Sequence, residues 1–294
     1  MPTFDTPNPI SVDVELGVGD IRLEASDRAE TVVEVRPSDP AKKADVTAAE
    51  QTRVEYAGGH LLVKAPATSG WRQWMPHRGG ESIDVVIGLP EGSSVRVEAG
   101  VATLHGRGRI GECRCKVGVG DVQLDESGPV DIKTGVGDIS LERVVGRAQI
   151  VTGSGSVRVG SVGGTAAVKN SNGETWIDEV TGDARVSAAN GSISIDRAHE
   201  GIVAKTAMGD VRLGDVARGT AVAQSAMGDV EVGIRDGVAA WLELDTKFGQ
   251  VHNDLDASEP PGASEDAVEV HASTSFGDVL VRRSSAKREG SDAS

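Results

Sequence analysis

The chain carries carboxylates at one fixed place in a repeated cassette, directly after a glycine. Five pairs share this place: Gly120 and Asp121, Gly137 and Asp138, Gly209 and Asp210, Gly228 and Asp229, and Gly277 and Asp278. A row of carboxylates suggests calcium, which takes six or more oxygen ligands. In calcium-binding β-roll repeats, however, one residue separates the last glycine from the aspartate, and here the two are adjacent. Since other repeats carry Ser, Gln or Glu at this place, we expect acceptors for turn amides and no metal site.

Other candidate catalytic groups are spread along the chain rather than gathered. Lys133, Lys169 and Lys205 share one outward position, at least a whole coil apart and without a facing carboxylate cluster. Neighbouring carboxylates such as Asp121 and Asp138 could share a proton, but their repetition favours a structural role. We therefore expect no enzymatic activity and no cofactor. The alternative is a carbohydrate-active enzyme on the outer face of a β-helix.

The chain has two cysteines, Cys113 and Cys115. One residue separates them on the same side of a strand, where a disulfide would be strained. Two thiols also supply only half of a zinc site. We expect reduced thiols with a structural role, and a redox or metal role is the alternative.

One segment concentrates aromatic and basic side chains in an otherwise acidic chain. It lies between residues 65 and 82 and contains Trp71, Trp74 and His77. Large apolar side chains that stay exposed together usually bind something. The segment therefore either grips a partner or folds its tryptophans over the protein body.

A second candidate contact is a row of apolar side chains directly before the repeated glycine. Met208, Met227, Phe248 and Phe276 occupy this place in the later repeats. The acidic, proline-rich stretch 254–266 either covers the row or leaves it exposed as a contact strip. Trp176, in an outward row, is a further candidate for partner binding.

The residues around the cassette alternate between apolar and polar. Ile139 and Leu141 are apolar and Ser140 between them is polar, a period of two that indicates a half-buried strand. A second strand with the same alternation precedes the glycine, and tight turns join the strands. The repeated glycine recurs every 18 residues, at 137, 155, 173, 191 and 209, and the same register assigns it to positions 100, 120, 228, 249 and 277.

The sequence therefore predicts an all-β protein, a right-handed parallel β-helix or β-solenoid with about 18 residues per coil. An aromatic content of 3% suits a narrow interior filled by small branched side chains. Residues 1–99 leave the register but are typical of strands, so we expect an irregular N-terminal β cap continuous with the repeats of 100–281. Residues 282–294 are predicted to be a disordered tail.

The net charge of the chain limits the classes of partner that we expect. The chain of 294 residues has a net charge of −15, which disfavours nucleic acid and anionic membrane surfaces and favours an acidic, soluble protein. We find no apolar run long enough to span a bilayer and no signal peptide, so we expect a cytoplasmic protein without direct membrane insertion. We also expect both ends to resist strand addition, the first coil through its N-terminal cap and the last coils through Trp241, Phe248, Phe276, a Pro-Pro insertion and the charged tail 282–289. This favours a monomer or a closed dimer over a filament.

The cassette resembles that of the bacterial putative-adhesin β-strand-repeat family, a domain family of unknown function. The likeness rests on the repeated strand, Gly-x-Gly-Asp-Ile/Val-x-Leu, strand pattern and on the preceding stretch Ile83-Asp84-Val85-Val86-Ile87-Gly88-Leu89-Pro90-Glu91-Gly92. It covers residues 10 to 281. The resemblance implies a β-repeat fold and, through the adhesin name, a surface location, and it brings no catalytic residues.

We therefore expect a non-enzymatic scaffold or adhesin-like binding protein that presents its outer faces to a protein or glycan. A self-assembling structural protein is a further alternative.

Overall fold

A computed structural model describes residues 1–66, 81–255 and 267–284. The chain forms two compact units, residues 1–174 and 175–294. Trp71, Trp74 and His77 lie outside the described residues, as do most of the stretch 254–266 and the tail from residue 285. Within the described residues, no helix has the length and apolar character needed to cross a membrane.

Unit 1 consists of strands and one short helix. Its elements are β1 (Thr3–Asp5), β2 (Ser11–Ser26), β3 (Glu30–Pro37), α1 (Lys43–Gln51), β4 (Arg53–Ala57), β5 (His60–Lys64), β6 (Ile83–Pro90), β7 (Ser94–Ile110), β8 (Cys113–Val119), β9 (Val122–Ser127), β10 (Val130–Val136), β11 (Ile139–Val144), β12 (Ala148–Ser154), β13 (Val157–Val162) and β14 (Ala166–Asn172).

Successive coils of unit 1 stack in parallel. Strands β8, β10, β12 and β14 form one column, and β9, β11 and β13 form the other. The long strand β7 belongs to both columns, pairing with β8 through its first half and with β9 through its second. Equivalent residues face each other, as Ile139 faces Val122 on one side and Val157 on the other.

The N-terminal strands cap these columns. Strand β2 lies between β7 on one side and β5 and β6 on the other, all parallel. Strands β3 and β4 then run antiparallel along β6 and β5, and β1 runs antiparallel along β3. An antiparallel strand ends a parallel stack because it does not continue the coil. The predicted irregular β cap is therefore confirmed, with α1 connecting its two outer strands.

The predicted register is wrong at its first position. Val101 pairs with Val119, so Ala102 and not Gly100 occupies the place of Gly120. Ala102 lies inside the uninterrupted strand β7, and no residue other than glycine has a positive φ in the described chain. Gly100 instead corresponds to Gly118, which is the first glycine of the Gly-x-Gly cassette. The repeated glycine of the register is the second one, Gly120.

Unit 2 consists of strands alone in its described part. They are β15 (Thr175–Val180), β16 (Ala184–Asn190), β17 (Ile193–Ala198), β18 (Ile202–Met208), β19 (Val211–Val216), β20 (Gly219–Met227), β21 (Val230–Ile234), β22 (Ala239–Phe248), β23 (Val251–Asn253), β24 (Ala267–Phe276) and β25 (Val279–Arg283). One column runs β16, β18, β20, β24, β22 and the other β15, β17, β19, β21, β25, β23, all parallel.

The last two coils are exchanged relative to their order in the sequence. The final coil, β24 and β25, lies between the coil of β20 and β21 and the coil of β22 and β23. The coil of β22 and β23 therefore lies at the end of the stack, although the coil of β24 and β25 follows it in the sequence. A simple sequential stack, which the repeat spacing predicts, is wrong for these two coils.

The interior of each unit holds the apolar rows that the alternation predicts. Ile139 and Leu141 in unit 1 and Ile193 and Ile195 in unit 2 are buried, whereas Ser140 is exposed. Each buried Ile, Leu or Val side chain contributes about 1.5–3 kcal/mol through removal from water. The prediction of a β-solenoid is confirmed within each unit. The domain boundaries at residues 99 and 281 stay predictions, although β25 extends through Arg282 and Arg283.

Candidate binding surfaces

The repeated glycine forms a sharp corner between the two strands of a coil. Gly137 and Gly155 have φ values of +145° and +141°, which other residues rarely adopt. A Cβ on Gly137 would lie 2.0 Å from the carbonyl oxygen of Gly120 in the adjacent coil. Glycine is therefore required both by the backbone conformation and by the close approach of neighbouring coils.

The aspartates after these glycines bond across coils rather than within their own turn. Asp121 Oδ1 accepts a hydrogen bond from the amide of Asp138 at 2.8 Å, and Asp138 Oδ1 accepts one from the amide of Ser156 at 2.7 Å. In unit 2 the same bond joins Asp210 to the amide of Asp229 at 2.8 Å. The predicted partner, a turn amide, is correct, but it belongs to the next coil. Each side chain thus ties two coils together.

We expect the melting temperature to be unchanged by millimolar calcium or by EDTA, because these carboxylates already accept hydrogen bonds from backbone amides.

Asp138→Ala removes one acceptor and should cost about 1 kcal/mol, or a fall of about 2–4 °C in melting temperature. Asp138→Asn keeps an oxygen acceptor and is the matched control, expected to melt close to wild type. A rise of several degrees with calcium, lost in Asp138→Ala, would contradict this account.

Unit 2 exposes a continuous apolar row at the place directly before the corner glycine. We call it the Met–Phe strip, and it consists of Met208, Met227, Phe276 and Phe248 in that spatial order. Their exposed fractions are 48%, 49%, 54% and 65%. The rings of Phe248 and Phe276 stack with their centroids 4.9 Å apart and an interplanar angle of 8°.

The corner explains why these side chains stay outside. Along β20, Ser225 points inward, and the two residues that follow, Ala226 and Met227, are both exposed because the strand bends towards Gly228. Hydrogen-bonded strands therefore fix the positions of these side chains, which project from the corner where the two strands of each coil meet. Alternation alone would have placed Met227 inside.

The repeat register places all four residues of the strip in one row. The structure changes their order, because the final coil brings Phe276 between Met227 and Phe248. Trp176 is half-buried on the outer row of β15 and pairs in register with Ser194, away from the strip's row.

Unit 1 presents valines at the equivalent place. Val101, Val119 and Val136 follow one another in register, with exposed fractions of 47%, 46% and 51%. They have neither aromatic rings nor methionine sulfur. This valine row is a natural internal comparison for the Met–Phe strip.

Beside the valine row lies a groove of 1210 Å³. Gly17, Gly100, Gly118 and Gly135 line it, and Cβ atoms on the last three would come within 2.8 Å or less of a carbonyl oxygen in the adjacent coil. Gly100, Gly118 and Gly135 are thus required for coil stacking, and the groove is backbone-lined as a consequence. Lysines and glutamates border it, among them Lys64 and Glu15, which form an ion pair.

The outer faces carry ion pairs in both units. Arg96 and Glu98 are 2.6 Å apart, and Arg235 and Asp215 of unit 2 are also 2.6 Å apart. The hydrogen bond from His199, assisted by Arg197, lowers the pKa of Glu179. Exposed pairs of this kind contribute little stability each and are screened by salt. Arg235 and Asp215 lie on neighbouring coils, whereas Arg96 and Glu98 lie on the same strand.

The two thiols are buried in the interior. Cys113 and Cys115 both point inward from β8 and are free. Burial raises the pKa of Cys113 to about 12 and also raises that of Cys115. Because the thiolate is the reactive form, both groups are poor nucleophiles in the folded state. Among the described residues, no three His, Cys, Asp or Glu side chains lie close enough to hold a metal ion.

Comparison with known proteins gives a family match and remote structural likenesses. The family model described as Toastrack DUF4097 matches residues 8–282. No curated protein matches the chain. A solved structure titled a putative adhesin from Bacteroides fragilis is 12% identical, with 96% of each chain covered and a TM-score of 0.35.

Two further structures are similarly distant. One is titled a putative cell adhesion protein from Clostridium sporogenes, with 11% identity, a TM-score of 0.27 and coverage of 96% of this chain and 98% of that one. The other, a putative adhesin from Parabacteroides merdae, has 11% identity, a TM-score of 0.26 and coverage of 96% and 95%.

Proposed function

The chain belongs to the Toastrack DUF4097 family, and on that premise we propose that it is a non-enzymatic binding protein. Its β-solenoid coils act as a scaffold, and the Met–Phe strip of unit 2 is the surface that contacts a protein partner. The observation that carries the proposal is the exposure of four large apolar side chains in one continuous row.

The composition of the strip is that of an interface centre. Methionine and phenylalanine are enriched at the cores of protein interfaces, whereas lysine and glutamate are depleted there. Burying one such side chain against a partner contributes about 1.5–3 kcal/mol. Soluble proteins seldom leave large apolar side chains exposed together unless they bind something.

The backbone beneath the strip is ordered by hydrogen bonding on both sides for most of its length. Strands β20 and β24 each pair with two neighbours in register. Phe276 is additionally stacked on Phe248. A surface that is already ordered loses little conformational freedom on binding, so more of the contact energy appears as affinity.

A protein partner suits this row better than a glycan. The side chains of Met208, Met227, Phe248 and Phe276 offer no conventional hydrogen-bond donors or strong acceptors, and the hydroxyl groups of a sugar need partners when they leave water. A complementary apolar groove or helix face on a protein has no such requirement.

The proposal is tested with the double variant Met227→Ser, Phe276→Ser. Affinity-tagged wild-type protein, expressed in its native cell, should capture a specific polypeptide, and the double variant should capture it at least tenfold less, since hot-spot truncations cost about 2 kcal/mol or more. Val119→Ser, Val136→Ser alters two equally exposed side chains of unit 1 and is the matched control.

Equal capture by the wild type and the strip variant would contradict the proposal. So would loss of capture in the valine control alone, which would transfer the binding role to unit 1. Because all four substituted side chains are about half exposed, both variants should melt close to wild type.

A further inference from the structure

The terminal coil of unit 2 has one free side. Strand β22 pairs with β24, and β23 pairs with β25. On the opposite side of β22, the described chain supplies no strand. Unpaired amides and carbonyls along such an edge are a template for another strand.

The interior row of this coil also lacks its next layer. Leu242 and Leu244 of β22 are only half-buried, whereas Val270 and Ala272, their partners in β24, are buried. Val251 of β23 is 44% exposed, against 0% for its partner Val279. The apolar interior therefore opens at this edge, and one more strand on each column would cover it.

Two features that prevent strand addition, proline and a register shift, are absent from this edge. Strand β22 is ten residues long and contains no proline, and its pairing with β24 shows no register shift. In unit 1, by contrast, the outer strands β5 and β6 are covered by antiparallel strands β4 and β3. Proteins normally protect a long, regular edge of this kind.

We propose that a second copy of this chain covers the edge, with β22 of one protomer antiparallel to β22 of its partner about a two-fold axis. The interior row must stay interior across the junction, so residues of like parity face each other. Three registers satisfy this near the middle of the strand, centred on Glu243, Leu244 and Asp245, and the first places Glu243 against its own copy with no opposite-charge pair. Their charges distinguish them.

In the register centred on Asp245, Glu243 of each protomer faces Lys247 of the other. This gives two opposite-charge pairs and one pair of like charges, Asp245 against its own copy. The register centred on Leu244 instead places Glu243 against Asp245 twice, with two like-charge pairs. Because directly opposed like charges destabilise a strand pair and opposite charges stabilise it, we assign the Asp245-centred register.

Two-fold pairing also limits the assembly to two chains. An isologous contact uses the same surface of both protomers, so it consumes the β22 edge of each and leaves no β22 edge for growth. The edge of β22 adjoins the Met–Phe strip at Phe248, but Met227 and Phe276 lie on other strands. The variant Met227→Ser, Phe276→Ser should therefore remain dimeric.

Sedimentation velocity over rising protein concentration tests the proposal. Wild-type protein should reach a plateau at twice the chain mass of 30.4 kDa. Glu243→Lys and Lys247→Glu should each raise the dimer Kd at least tenfold, and the double variant Glu243→Lys, Lys247→Glu should restore it. Asp245→Asn removes the like-charge pair and should lower the Kd several-fold.

Two comparisons exclude simpler explanations. Glu243 also contacts His271 Nδ1 at 2.6 Å within its own chain, so only matching effects of Lys247→Glu and Glu243→Lys indicate the intermolecular pair. Lys205→Glu, an exposed charge change on β18, should leave the Kd unchanged. The proposal would be overturned by a single chain mass at all concentrations or by unbounded growth. It would also be overturned by a dimer whose Kd is changed neither by Glu243→Lys nor by Lys247→Glu.

Discussion

Ile139→Asp is expected to abolish the cooperative melting of unit 1. Ile139 is 1% exposed and lies between Val122 and Val157 in the stacked interior. An aspartate there places an unpaired carboxylate among apolar side chains, at a cost of several kcal/mol that a marginally stable unit does not survive. Circular dichroism and calorimetry during heating measure the result.

Ser140→Asp is the matched control for this substitution. Ser140 adjoins Ile139 on the same strand but is exposed on the outer face, so its charge remains in water and the variant should melt within a few degrees of wild type. If Ile139→Asp and Ser140→Asp melted alike, the assignment of inward and outward rows would be incorrect.

Gly137→Ala is expected to destabilise unit 1 by about 2–5 kcal/mol, the second largest effect. Alanine at φ +145° is strained, and its Cβ would lie 2.0 Å from the carbonyl oxygen of Gly120. The neighbouring coil is backbone at this point, so no flexible side chain can move aside. Chemical denaturation measures the free energy of unfolding.

Gly17→Ala provides the comparison. A Cβ at Gly17 meets no atom within 4 Å, and the φ of Gly17 is not positive. Substitution there should change the free energy of unfolding by less than about 1 kcal/mol. Equal losses in the two variants would show that the corner does not require glycine.

Much of the fold could be predicted because its signals are local. Alternation placed Ile139, Leu141 and Ile193 inside, and the corner glycines marked the boundary between strands. The exchange of the last two coils could not be predicted in this way. A strand in a solenoid has the same apolar and polar alternation whichever coil lies next to it, so β24 carries no local signal of its neighbours.

The candidate surface was predicted in part for the same reason. Met208, Met227 and Phe248 share one place in the repeat, and their exposure at the corner follows from the bend before the glycine. The stacking of Phe276 on Phe248 depends on the exchanged order of coils, which brings two sequence-distant phenylalanines together. The free edge of β22 also depends on that order.

The Met–Phe strip is the proposed contact for a protein partner. Its most direct test replaces Phe276 with the photo-reactive amino acid benzoylphenylalanine and irradiates the native cell. We predict a covalent adduct with a polypeptide other than the chain itself, and little adduct when Val136 of unit 1 carries the same group. Absence of an adduct at Phe276, or equal adducts at both positions, would contradict the account.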